Sequence, residues 1–75
     1  MTIITNKSQI TEGAVIFLTD PEHAAFFEVI DWDTNRDNFY GWKTEVDSGG
    51  NIIQSYPDEF SFSDLYKEII VGHNT

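Results

Sequence analysis

A mainly β fold of the α+β kind, a small antiparallel sheet with one short C-terminal helix, is what this 75-residue sequence predicts, and three observations predict it. Residues 39–47 alternate strictly, Phe39, Gly41, Lys43, Glu45 and Asp47 against Tyr40, Trp42, Thr44 and Val46, which is the period of a half-buried strand. Residues 14–19 (Ala-Val-Ile-Phe-Leu-Thr) and 26–32 (Phe-Phe-Glu-Val-Ile-Asp-Trp) are short runs rich in β-branched and aromatic side chains. Helical spacing emerges only at the end, where Phe62, Leu65, Tyr66, Ile69 and Ile70 fall on one face.

The elements follow in order. Residues 1–11 mix polar and β-branched types with Lys7 as their cation, and read as an edge strand or an arm. Residues 14–19, bounded by Gly13 and by Asp20-Pro21, read as a buried strand. Residues 21–31 carry two competing signals. Asp20-Pro21-Glu22 has the grammar of a helix start, with a cap, a proline at the first helical position and an acid in the first turn. The aromatic and β-branched residues that follow favour a strand, and strand is the stronger reading.

Beyond the polar turn 34–38, the alternating strand 39–47 meets Ser48-Gly49-Gly50-Asn51, whose glycines supply a tight reversal. Residues 52–56 then pair back as a hairpin partner, with Pro57 as the stop. Ser61 or Ser63 caps the closing helix, Asp64 favours its positive end, and Gly72 suits its C′ position. Residues 73–75 are expected to fray. With no internal repeat and no linker, residues 1–75 form a single domain.

The layout of residues 12–71 resembles that of SH3-like small β-barrels. An early glycine precedes an apolar strand, followed by a proline-containing loop, a second strand ending in acids, a hairpin with a Gly-Gly turn and a closing helical turn. The resemblance implies a partly open barrel in which residues 68–71 would be a last strand instead of helix. It implies nothing about function, because function resides in sites and not in layouts.

Thirteen Asp and Glu against four Lys and Arg give a net charge of −9, which opposes direct binding to nucleic acid or to an anionic membrane. The absence of cysteine excludes disulfides, thiolate nucleophiles and cysteine-based metal sites, so eleven aromatic residues must supply much of the packing. No stretch is apolar enough to span a membrane, and the N-terminal residues lack the pattern of a secretory signal. The expectation is a cytoplasmic protein without a cofactor.

Catalytic and metal signals are weak. Asp31, Asp33, Asn35 and Asp37 occupy positions 1, 3, 5 and 7 of a calcium-loop pattern over residues 31–37, an alternative function for this stretch. The pattern then breaks, because Arg36 stands where a sharp turn needs glycine and Trp42 where a bidentate glutamate should close the shell. His23 and His73 have no spacing that makes a metal pair, and no serine lies in a nucleophile elbow. The reading is a non-enzymatic protein with neither catalytic nor metal residues.

Charge is the remaining signal. Residues 12–37 hold seven acids against Arg36 alone, and acids at strand spacing sit about 7 Å apart along a face. The expectation is an acidic patch of Asp20, Glu22, Glu28, Asp31, Asp33 and Asp37, with Trp32 as an aromatic anchor, that binds the basic surface of a larger protein. Small, acidic, cysteine-free chains of this sort are similar to phage-encoded inhibitors of host defence, including anti-CRISPR proteins and other nucleic-acid mimics. That resemblance implies a protein partner that binds nucleic acid, met in the host cytoplasm. The alternative is an SH3-like accessory module recognising its partner through aromatics such as Tyr40, with the acids serving solubility.

Overall fold

Gly13, with φ of +85°, starts the first long strand in the computed structural model, which describes residues 1–19 and 22–74. A side chain there would place its Cβ 2.2 Å from the carbonyl oxygen of Asn74, so only glycine lets these two backbones meet. The strands are β1 (Thr2–Ile3), β2 (Ala14–Leu18), β3 (Ala24–Trp32), β4 (Asn38–Val46), β5 (Ile52–Ser61) and β6 (Ile69–His73). They form one antiparallel sheet in the order β1-β6-β2-β3-β4-β5. The sheet is open, with β1 and β5 as its edges.

Alternation decides the two faces. Ala14, Ile16 and Leu18 of β2, Ala25, Phe27 and Val29 of β3, Phe39 of β4 and Ile70 of β6 are buried on the inner face. That face is covered by Ile4 and Ile10 from the N-terminal segment and by Leu65 from a single helical turn, α1 (Phe62–Leu65). Phe60 packs edge-on against Phe27 with ring centres 4.8 Å apart, and Trp32 tilts over Phe39 at 6.4 Å. Each fully buried Phe or Ile contributes roughly 1.5–3 kcal/mol, so the inner face carries the stability of a chain this short. The outer face has no covering layer among the described residues.

The strand reading of residues 21–31 holds from Ala24 onward, and no helix forms there. The helix-start signal at Asp20-Pro21 lies outside the described residues. The β4–β5 hairpin turns at residues 47–51 as its composition requires. The Asp47 carboxylate accepts from the Gly49 and Asn51 amides, and Gly50 takes φ of +82°.

Three expectations are corrected. The C-terminal helix ends after one turn. Ser61 and Asp64 form a reciprocal capping box, then Tyr66 is extended and Lys67 turns with φ of +72°. The β-branched residues Ile69, Ile70 and Val71 instead enter the slot between β1 and β2, which offers ladders on both sides. Pro57 does not stop β5, which runs on to Ser61 opposite Asn38. As an edge strand it has a ladder on one side only, so a residue lacking an N–H is tolerated. Finally, His73 is no frayed residue: it pairs with Ala14, and Asn74 donates to the Gly13 carbonyl at 2.7 Å.

Candidate functional site

The register of the outer face places acids and aromatics side by side. Asp31 of β3, Tyr40 of β4 and Glu59 of β5 lie in one row across three strands. Glu28, Trp42 and Pro57 form the next row. Directly opposed residues stand about 5 Å apart, so Tyr40 is flanked on both sides by carboxylates and Trp42 lies between a carboxylate and a proline ring. Tyr40 is 39% exposed and Trp42 47%, which makes them the exposed aromatic pair of this face.

A bulge shapes the ground between them. The β3–β4 register shifts between Val29 and Asp31, so Ile30 is passed over and lies exposed. Gly41 stands opposite Val29 at this point, and a Cβ there would fall 1.8 Å from the Glu28 carbonyl oxygen. Only glycine admits so close a crossing. The result is an open concavity of about 530 Å³ lined by Ile30, Asp31, Tyr40, Gly41, Trp42, Pro57, Asp58 and Glu59. Its floor is apolar, the carboxylates of Asp31 and Glu59 stand at its rim, and Asp58, opposite Gly41, carries its side chain to the other face. No histidine, serine, threonine or lysine lines it.

The rim acids are only partly satisfied from within. Asp31 accepts from the Trp32 amide at 2.8 Å. The Glu59 side chain has no hydrogen bond or ion pair among the described residues. Glu28 accepts from the Asn74 amide group at 3.1 Å.

The four cations are all engaged elsewhere, each against an aromatic ring. Lys7 pairs with Asp37 and lies 5.8 Å from the Phe62 ring centre. Arg36 stacks over Trp32 at 4.4 Å and donates to the Ile10 carbonyl. Lys43 sits 5.9 Å from both Tyr56 and Phe60, and Lys67 sits 5.6 Å from Tyr66. Tyr40 and Trp42, bordered by acids, have no cation over them among the described residues.

The acids expected to form one patch are distributed as follows. Asp20 lies outside the described residues. Glu22 is exposed in the connection between β2 and β3, at the end of the sheet remote from Asp31. Glu28 and Asp31 share the outer face. Asp33 is turned into its own hairpin loop, where it accepts from the Asp37 and Asn38 amides and from the Asn38 side chain. Those bonds, the one from the Asn38 amide foremost, hold its carboxyl below the usual range. Asp37 is engaged by Lys7. Trp32 is half-buried beneath Arg36, with its other contacts to the inner face.

The structure therefore brings together Glu28 and Asp31 from this set, and adds Tyr40, Trp42, Pro57 and Glu59. The last two were concealed because Pro57 reads as a terminator. Had β5 been continued through it, the pairing of Trp42 with Pro57 and of Tyr40 with Glu59 would have followed from counting back from the Gly-Gly turn.

A second concavity, of about 370 Å³, lies between Leu18, Thr19, Lys43, Glu59, Phe60, Asp64 and Glu68. It holds its own cation in Lys43, and Glu68 is occupied by Thr19. Among the described residues, no three His, Asp or Glu side chains are grouped to hold a metal ion, and of the calcium-pattern residues Asp33 is held by its loop amides and Asp37 by Lys7. No helix among them is long and apolar enough to cross a membrane. Compared with family models, curated proteins and solved structures, the chain has no match.

Proposed function

We propose that this chain is a non-enzymatic, acidic interaction module that seats the outer face of its sheet on a basic surface of a larger protein. One observation carries the reading: an exposed aromatic floor at Tyr40 and Trp42 is flanked by the carboxylates of Asp31 and Glu59, while all four cations are engaged away from it. Uncompensated charge of one sign steers partners of the other, and exposed Trp and Tyr supply the desolvated centre of an interface. The net charge of −9 disfavours nucleic acid and anionic membrane as direct partners.

Carboxylates on neighbouring strands present negative charge at intervals of roughly 5–10 Å, as a nucleic acid does, which favours a nucleic-acid-binding protein whose cationic groove is blocked. Inhibition of that kind is the role of phage anti-defence proteins, anti-CRISPR proteins among them.

Affinity capture from a host lysate at low and at high salt tests the proposal, with wild type and an Asp31→Lys/Glu59→Lys variant run in parallel. The expected result is a cationic protein retained by wild type at low salt, released as salt rises, and not retained by the variant, whose thermal midpoint stays within a few degrees of wild type. Retention indifferent to both salt and charge reversal sinks it. A second reading draws on the exposure of Trp42 and Tyr40: an accessory module that recognises a partner through aromatics alone. Capture that survives high salt but is abolished by Trp42→Ala selects that reading.

A further inference from the structure

We infer that the concavity at Tyr40 and Trp42 is a receptor for an arginine side chain of the partner. The inference rests on the proposed docking of this face to a basic protein surface and names the anchor of that contact.

Lys7, Arg36, Lys43 and Lys67 each lie within 6 Å of an aromatic ring centre, and the closest of these contacts is the one made by arginine, Arg36 over Trp32 at 4.4 Å. In that contact the guanidinium lies over the indole and donates to the Ile10 carbonyl, so an aromatic ring already holds a guanidinium in this fold. Exposed rings occur again on the outer face, here with carboxylates beside them, where Asp31, Tyr40 and Glu59 share a row and Trp42 lies in the next. Here the cation is missing from the chain itself, and charge complementarity defines what fills the place.

The choice of arginine follows from shape and hydration. A guanidinium is planar, so it stacks on an indole or phenol ring while its N–H groups fork toward carboxylates in the ring plane's surroundings. It is also less strongly hydrated than an ammonium, so it surrenders water more readily to an apolar floor made of Ile30, Trp42 and Pro57. Lysine brings a point charge that gains from the rim but little from the floor. The concavity of about 530 Å³ is wide enough for one such side chain and its neighbours on a partner strand or helix. It is also open, so the anchor enters from a protein surface without any rearrangement of the sheet.

Short oligoarginine and oligolysine peptides of equal length, titrated into the full-length isotope-labelled protein at low salt, test the inference by amide and indole chemical shifts. The expected result is saturable change at Ile30, Asp31, Tyr40, Gly41, Trp42 and Glu59, with arginine binding about threefold or more tighter than lysine. Trp42→Ala and, separately, the isosteric pair Asp31→Asn/Glu59→Gln should each remove that preference. Equal affinity of the two peptides at this face overturns the arginine receptor while leaving a general basic-surface contact standing. Shifts confined to other acidic regions, such as residues 45–51, or no shifts at all, overturn both. Because the Asn/Gln pair changes charge and not shape, its folded spectrum keeps the test decisive even if Trp42→Ala loses structure.

Discussion

Glu68 clasps Thr19: its carboxylate accepts a hydrogen bond from the Thr19 amide at 2.8 Å and another from the Thr19 hydroxyl at 2.9 Å. The contact ties the end of β2 to the residue that precedes β6, two segments 49 positions apart. Removing it with Glu68→Ala should lower unfolding free energy by about 1 kcal/mol, the magnitude of a partly exposed charge-assisted pair. Urea denaturation measures this, and Thr19→Ser, which keeps both donors, should lose less.

Two glycines should behave oppositely. Gly41→Ala places a methyl group 1.8 Å from the Glu28 carbonyl oxygen, so either the bulge or the β3–β4 ladder must open. Destabilisation above about 3 kcal/mol is expected. Gly72 in β6 has nothing within 4 Å of the same position, and Gly72→Ala should stay within about 0.5 kcal/mol of wild type. Thermal melts of the two variants decide; similar losses in both would mean that the β3–β4 crossing at Gly41 accommodates a side chain.

The inner and outer aromatics should separate cleanly. Phe39 is fully buried and touches Trp32, so Phe39→Ala should cost about 3–5 kcal/mol. Trp42→Ala, at a position 47% exposed, should cost under about 1 kcal/mol while abolishing partner capture. A Trp42→Ala protein that melts as early as Phe39→Ala would assign the ring to folding and not to recognition.

Acid should erode stability through two loop carboxylates. Asp33 is held below the usual carboxyl range chiefly by the Asn38 amide, and Asp47 chiefly by the Asn51 amide. A carboxyl depressed in the folded state contributes stability that is complete above its unfolded value and is lost as pH falls through its folded value. Asp33→Ala and Asp47→Ala should therefore be less stable than wild type at about pH 7, with the gap narrowing below about pH 4. Denaturation curves across that range report it, and a gap that widens in acid would reverse the sign of the linkage.

How much of this was legible in the sequence depends on which forces were local. The β4–β5 hairpin was, because Tyr40 to Val46 alternate and Gly49-Gly50 fixes the reversal within a few residues. The strand nature of 24–32 was, through its aromatic and β-branched content. The end of the chain was not. Phe62, Leu65, Ile69 and Ile70 keep a helical period, and what diverts Ile69 into a strand is a vacancy between β1 and β2 that no window of sequence contains. The candidate site suffered similarly. Charge density pointed at residues 20–37, whereas Asp33 is absorbed by its own loop, Asp37 by Lys7, and Glu59 arrives from a strand whose sequence ends at Pro57 when read alone. Composition identified the sign of the surface, and only register identified its partners.

The proline in β5 has a consequence beyond this face. The strand is ten residues long and unpaired along its outer side, the shape of template on which identical chains stack into filaments. A ring with no N–H to donate, followed at once by two negative side chains, interrupts that template near its middle. The same tripeptide that borders the aromatic hollow thus acts as a guard against fibre growth, so a strand-forming residue in place of Pro57 would be expected to turn a well-behaved solution into one that gels or precipitates on standing.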